Sequence, residues 1–313
     1  MGTPVGGGPW GGSVVVASPK GRAGHSVKAA YGLVIAGPVV SPGLAALVPD
    51  TERVPPGWPT VTLHHRQGSG AEPPTAVTTS HAVLASPAGR HLVFDRRTMT
   101  ATVVAPQCPD DYVLAHPCLA GVGMVVACWL GRSALHGGAF LGTTGAWGVL
   151  GGVKAGKSTT LAALHHRGRT VLADDLLIVD AGLVLAGPRV LSLRLDAAER
   201  LAPDAARVGI GGELRARLRL RPAPVATPLS GLLLVELHEG HPHVKTAPIP
   251  PSERFDVLAT HLAQRYVMPS ALGLLELATV PMWRVTAPRS WSAIDRLVGA
   301  IDEIADGHGV DAA

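Results

Sequence analysis

The chain has 313 residues, with 27 Lys and Arg against 23 Asp and Glu, a formal net charge of +4 and 47% apolar residues. That is ample material for one large or two medium domains and excludes a chain too polar to build a core. The three cysteines, Cys108, Cys118 and Cys128, are odd in number and have no C-x-x-C spacing, which argues against a disulfide framework and makes a reducing cytoplasm the expected location.

Met1 to Lys28 is glycine-rich, and Met1 to Val16 has no charged segment followed by a long apolar one, so no signal peptide is expected. Tyr31 to Ala36, Val61 to His65, His81 to Ser86, His91 to Phe94 and Met99 to Ala105 read as strands broken by Pro and Gly. Gln67 to Pro74 reads as a flexible loop. Residues 1–115 are therefore expected to form a small, mostly β N-terminal domain, and residues 116–313 a second, α/β domain. His64, His65 and His81 lack a metal-ligand spacing, and surface positions are expected for them. The longest apolar run, Ala120 to Leu130, is too short to span a bilayer and reads as a core helix, so no membrane partner is expected.

Residues Gly151, Gly152, Val153, Lys154, Ala155, Gly156, Lys157 and Ser158 match the phosphate-binding pattern G-x-x-x-x-G-K-[ST] in full. They follow an apolar run, Ala146 to Leu150, and open an Ala- and Leu-rich stretch that begins at Thr159. That is the strand, loop and helix context the motif requires. Backbone N–H groups of such a loop curl around phosphate oxygens, and the helix N-terminus adds its positive end. Lys157 is expected to reach the β- and γ-phosphates and Ser158 to ligate Mg²⁺. Only five lysines occur in the chain, and two of them, Lys154 and Lys157, are in this loop. A bound nucleoside triphosphate, ATP or GTP, with Mg²⁺ is the expected cofactor set.

Gly168 is placed to cap the helix that follows, and the strand from Thr170 ends in Asp174 and Asp175. A carboxylate at the end of an apolar strand suits Mg²⁺, and a second one beside it can take a proton from an attacking hydroxyl. Further on, Leu191 to Leu195 reads as a strand, and Asp196 to Glu199 as the capped start of a helix. Arg215, Arg217, Arg219 and Arg221 alternate with apolar residues, which puts four guanidiniums on one strand face. Such a face suits phosphate or an acidic peptide, or equally a solvated edge strand protected by charge. Leu232 to Leu237 reads as a buried strand, Ser252 to Arg265 as an amphipathic helix, Val280 to Val285 as a late strand and Ser292 to Ile304 as the terminal helix. His241 and His243 suit a hairpin turn better than a metal site. No recognition helix, zinc finger or aromatic ladder points to nucleic acid.

Taken together, His136-Gly137, the 151–158 loop, Arg167-Gly168-Arg169 and Ala173-Asp174-Asp175 resemble the catalytic core of HPr kinase/phosphorylase and its serine-kinase relatives. Pro188 to Leu195 is similar to a strand in the branch of that family found with modified-peptide gene clusters. The resemblance covers about residues 130 to 200. It implies an HPr-kinase/PEP-carboxykinase-like P-loop domain behind the β-rich domain. It also implies that Asp174 is the catalytic base, with Asp175 a Mg²⁺ partner beside Ser158, and that His136 lies beside the transferred phosphoryl group. Position 169 is Arg where HPr kinases carry His, and their L-x-G-R-N-L-A segment is missing. These departures point away from HPr and toward a serine of a precursor peptide or small protein as acceptor. The acceptor groove is then expected to run from His136 across Asp174 toward the basic strand, Arg215 to Arg221, with Arg215 and Arg217 on the substrate. A small-metabolite or free amino-acid kinase and a regulatory nucleotide-binding ATPase are the alternatives. HPr kinases form hexamers, so the resemblance also implies a homo-oligomer.

Overall fold

The computed structural model describes residues 26–68, 74–86, 90–210, 212–240, 242–263 and 271–307. The glycine-rich start up to residue 25, residues 69–73 of the 67–74 loop, His241 and Arg265 lie outside the described residues.

Short alternating segments build the first layer. It comprises β1 (Val27–Ala30), β2 (Leu33–Ala36), β3 (Asp50–Thr51), β4 (Thr60–Gln67), β5 (Ala76–Val77), β6 (His81–Ser86), β7 (Arg90–Asp95) and β8 (Thr100–Ala105). They form an eight-stranded sheet in the order β3-β1-β2-β4-β8-β7-β6-β5. The pairs β2–β4 and β4–β8 run parallel and the others antiparallel. A short helix absent from the sequence reading, α1 (Pro42–Leu47), starts at Ser41, whose Oγ accepts from the Leu44 N–H. The buried side of this sheet, including Leu63, Phe94 and Val103, packs on α3 (Leu119–Leu130) through Leu119, Val122 and Val126.

Between the sheet and α3 lie α2 (Asp111–Val113) and the turn Leu114–Cys118. Asp111–Leu130 is long and apolar enough, by length and composition, to cross a membrane, and half of it is buried in this fold. Its helical geometry breaks at His116, with φ −153° and ψ 121°. The same core takes in Ala134, Leu176 and Ile178 from the second half. Arg132 adds a polar tie: it donates to Asp180 Oδ2 at 2.8 Å and to the Gly32 carbonyl at 3.2 Å. The expected division at residue 115 thus falls inside a continuously packed region.

The second layer has nine strands: β9 (Ser133–Leu135), β10 (Gly137–Leu141), β11 (Ala146–Leu150), β12 (Val171–Ala173), β13 (Leu177–Asp180), β14 (Leu183–Leu185), β18 (Ala226–His238), β19 (Lys245–Pro248) and β20 (Met282–Pro288). Its main path is β12-β10-β11-β18-β14-β13-β9, with β20 also on β18 and β19 on β20. Every residue of β11 is buried, as a strand covered on both faces must be. β18 is parallel to both β11 and β20, so all three strands end on one side. The C-terminal edge of parallel strands is where open α/β sheets leave a crevice for ligands. The fold is thus mixed α/β with large sheets.

α4 (Lys157–His166) and α8 (Ile294–Ala305) pack together through Leu161, Leu164, Leu297 and Ile301. Arg169 fastens the pair, with Nε donating to Asp302 at 2.8 Å and its other end paired with Asp306. The Arg167-Gly168-Arg169 segment, grouped in the sequence with catalytic elements, is therefore a clamp on the last helix.

β15 (Val190–Leu193), β16 (Ala206–Ile210) and β17 (Glu213–Arg219) form a separate three-stranded sheet in the order β15-β17-β16. The arginine-bearing strand is central here, which corrects the edge-strand reading. α5 (Leu195–Leu201) begins at Arg194 without a side-chain cap, so Asp196 lies inside the first turn rather than at the cap. The expected helix from Ser252 is α6 (Pro251–Thr260), and α7 (Ala271–Thr279) was not anticipated.

Candidate active site

The glycine-rich loop connects the buried end of β11 to the first turn of α4. Gly156 caps α4 with φ +83°, and a Cβ there would also meet Leu237 Cδ1 at 2.6 Å. The left-handed φ favours glycine, and a larger residue would have to displace the Leu237 methyl. Val153 at the loop tip is 80% exposed, so the loop is open to solvent. Arg289 braces it by donating to the Lys154 carbonyl at 3.0 Å. Lys157 is folded inward, its Nζ donating to the carbonyls of Gly151 at 2.8 Å and Gly152 at 3.0 Å. Burial lowers its pKa, opposed by the charges of Asp175 and Asp174.

The acidic pair is split by the backbone. Asp174 is 6% exposed at the end of β12, with both carboxylate oxygens engaged. Oδ1 accepts from the Ser158 hydroxyl at 2.8 Å and Oδ2 from the Ser192 N–H at 2.9 Å. Burial, then the charge of Asp175, pushes its pKa up to about 6. Asp175 sits in the left-handed region at φ +67°, a conformation that Asp tolerates better than most residues. The turn carries its side chain, 47% exposed, out of the sheet. There Oδ1 lies 3.3 Å from His136 Nδ1 and Oδ2 lies 3.6 Å from His116 Nε2.

His136 occupies the step between β9 and β10, its N–H donating to the His261 carbonyl at 2.6 Å. Its Nδ1 is 3.1 Å from the Asp175 carbonyl. A carbonyl only accepts, so the neutral ring carries its proton on Nδ1 and offers Nε2 as an acceptor. Burial lowers the pKa of His136, and burial brings that of His116 down to about 4. Both imidazoles are thus neutral at physiological pH. His116 was missed in the sequence; its one signal is Pro117 interrupting an apolar helical run.

Gly151, Gly152 and Val153 of the loop, Asp175, His136 and His116 line one cavity of about 570 Å³. It runs from Gly151, Gly152 and Val153 toward β6, β7 and α3, where Leu84, Leu92 and Met124 line it. Arg215 and Arg217, expected on the substrate, do not line it. Arg217 is 1% exposed and donates to the His116 carbonyl at 3.0 Å, and Arg215 pairs with Glu213 at 2.6 Å. Arg219 donates to the Ala46 carbonyl, and Arg221 to those of His165 and Arg169. The arginines alternate along the strand as expected, but each guanidinium makes at least one bond to the protein.

A pH-dependent consequence follows from Asp174. Between the usual carboxylate pKa and about 6, the folded state keeps a proton that the unfolded chain has released. Stability is therefore lost as pH rises through that window, by roughly 2–3 kcal/mol at neutral pH. Asp174→Asn removes the cost, and an amide can donate to Ser158 Oγ while accepting from the Ser192 N–H. The ligand-free variant should melt several degrees above wild type at pH 7.5, the gap closing toward pH 4. A lower melting temperature at pH 7.5 would contradict the assignment.

The donor set beside Ser158 suits Mg²⁺. The Ser158 hydroxyl gives its proton to Asp174 and keeps lone pairs for a cation, and Asp174 is a hard oxygen ligand beside it. Among the described residues no group of three or more His, Cys, Asp or Glu could hold a metal. Few protein oxygens, with waters and phosphates completing the shell, is the mode Mg²⁺ favours, so the residues fit.

No family model matches the chain, and no curated protein matches it. Among solved structures, the Hpr(Ser) kinase/phosphatase from Coxiella burnetii is similar at 12% identity and a TM-score of 0.25, over 55% of this chain and 95% of that one. So distant a likeness leaves the function of this chain to be argued from its own residues.

Proposed function

We propose that the chain is a phosphotransferase that moves the γ-phosphoryl group of ATP or GTP to an alcohol. One observation carries this reading: an accessible carboxylate, Asp175, stands between two neutral histidines in the cavity that also reaches the 151–153 end of the glycine-rich loop. A regulator that only binds nucleotide needs no such group.

The loop N–H groups and the positive end of α4 hold the phosphates. Lys157 leaves the Gly151 and Gly152 carbonyls and follows the charge of the transferring group. Ser158, with Asp174 behind it, would hold Mg²⁺, which would supply positive charge to the phosphates. Asp175 is the base that takes the hydroxyl proton, and Asp174 serves the metal side, the reverse of the order implied by the resemblance. The exchange is argued from access: Asp174 has both oxygens occupied, and Asp175 faces the cavity. His136 holds the Asp175 carbonyl through its Nδ1–H and so fixes the turn that aims the Asp175 carboxylate at the hydroxyl, and His116 flanks the other Asp175 oxygen.

The resemblance in the sequence favours a serine of a peptide or small protein as the acceptor. The size of the cavity, about 570 Å³, favours the second reading, a small-molecule alcohol. The family branch and an oligomeric state remain expectations from the sequence. The test is transfer of label from γ-labelled ATP, with Mg²⁺, to serine-bearing acceptors. His136→Ala should lower kcat/KM for the acceptor about tenfold, the worth of one orienting hydrogen bond, with nucleotide affinity unchanged. Equal losses in nucleotide affinity and transfer would contradict the role given to His136.

A further inference from the structure

On the phosphotransferase reading above, we infer that the acceptor is a small amphiphile, a hydroxyl carried on an apolar body, seated between β6, β7 and α3. The cavity's volume of about 570 Å³ falls within the roughly 300–1,000 Å³ of sites that enclose one small ligand. Its chemistry is two-ended. Asp175, His136 and His116 make a polar floor beside the loop, and Leu84, Leu92 and Met124 make apolar walls. The walls belong to a sheet and a helix fastened by a shared core, so the space is held open by rigid elements.

The first turn of α3 presents small side chains to this space. Ala120 and Gly121 line the cavity, and a Cβ on Gly121 would come within 3.1 Å of Leu84 Cδ1 and 3.6 Å of Leu92 Cδ2. Any larger residue there would narrow the walls. The nucleoside is not the occupant these walls suit. The cavity borders Gly151, Gly152, Val153 and Asp175, and not Lys157, Ser158 or Thr159 at the helix end of the loop. It therefore meets the phosphate chain from the side of the attacking group. An acidic peptide along β17 would meet guanidiniums already engaged by the protein, since Arg217 is buried and Arg215 pairs with Glu213. The reaction balances simply: the acceptor oxygen bonds to the γ-phosphorus, the bond to the β–γ bridging oxygen breaks, the proton passes to Asp175 and ADP leaves.

The experiment compares N-acetyl-, N-butyryl- and N-octanoyl-L-serinamide with a soluble acidic serine peptide, using γ-labelled ATP and Mg²⁺ on the full chain. Calorimetry of each acceptor runs alongside. We expect kcat/KM to climb about two- to fourfold per added methylene, as burial of apolar surface requires, and the acidic peptide to be the poorest acceptor. Ala120→Phe, and Ala85→Phe on the exposed face of β6, should abolish the chain-length gain while Mg²⁺–ATP affinity stays at the wild-type value. A flat dependence on chain length, or a preference for the acidic peptide, would overturn the inference and leave the phosphotransferase standing. Octanoyl-serinamide binding that both variants abolish, without transfer, would support the apolar pocket and overturn the phosphotransferase reading. Neither binding nor transfer would overturn both.

Discussion

Asp175→Asn should leave Mg²⁺–ATP binding within about threefold of wild type and lower transfer by about 10²- to 10⁴-fold, the range of a general base. Asp174→Asn should fail differently. It keeps the Ser158 and Ser192 contacts and removes the charge behind the cation site, so the Mg²⁺ concentration for half-maximal activity should rise at least tenfold. The contrast has a physical origin in one dihedral angle. At φ +67° Asp175 leaves the line of β12 and presents its carboxylate to the cavity, whereas Asp174 points back to α4 and β15. Steady-state kinetics across a Mg²⁺ series separates the two. If the variants were interchangeable, or if Asp175→Asn kept full turnover, the division of roles would be wrong.

Lys157→Ala is expected to lower kcat by at least 10²- to 10³-fold, the cost of removing one transition-state donor from a preorganised site. Nucleotide affinity should weaken about tenfold or more, because the ammonium is the point charge on the phosphates. The fold should survive. Of the two carbonyls that Lys157 now satisfies, that of Gly152 is in the exposed part of the loop where water can replace the ammonium, and that of Gly151 borders the cavity. The core below rests on Leu161 and Leu164. Lys157→Arg should not rescue turnover, since a planar fork does not fit a site for a compact ammonium. Thermal melting within a few degrees of wild type, together with lost turnover, is the expected pair of results; unchanged turnover would remove the loop from the chemistry.

Much of this arrangement was legible in the sequence because it is locally encoded. The period-two strands β4, β6, β7 and β8 appear close to their expected positions, as do β11, the loop and α4. The turn at Gly168, with φ +101°, follows from the residue itself. The closeness of His136, Asp175 and the loop was legible only through the resemblance. What stayed hidden depends on tertiary neighbours. Alternation put Arg215, Arg217 and Arg219 on one face of β17, but only the pairing with β15 and β16 decides that the strand is central. Arg217 is buried for that reason. His116 enters the site because the chain leaves helical geometry at that residue. The roles of Asp174 and Asp175 turn on a left-handed residue that no composition reveals. The direction of the cavity depends on which sheet packs over the loop, and the N-terminal strands, read as a separate domain, turn out to supply its wall.

The central claim is that the 151–158 loop, Ser158 and Asp174 form a Mg²⁺–nucleotide site with Asp175 at its γ-phosphate end. Calorimetric titration of the wild-type chain with a non-hydrolysable ATP analogue, with and without Mg²⁺, tests it most directly. The account predicts one site per chain, tighter with Mg²⁺ present and weakened by both Lys157→Ala and Asp174→Asn. No binding at millimolar analogue in either condition, or binding indifferent to Mg²⁺ and to both substitutions, would contradict it.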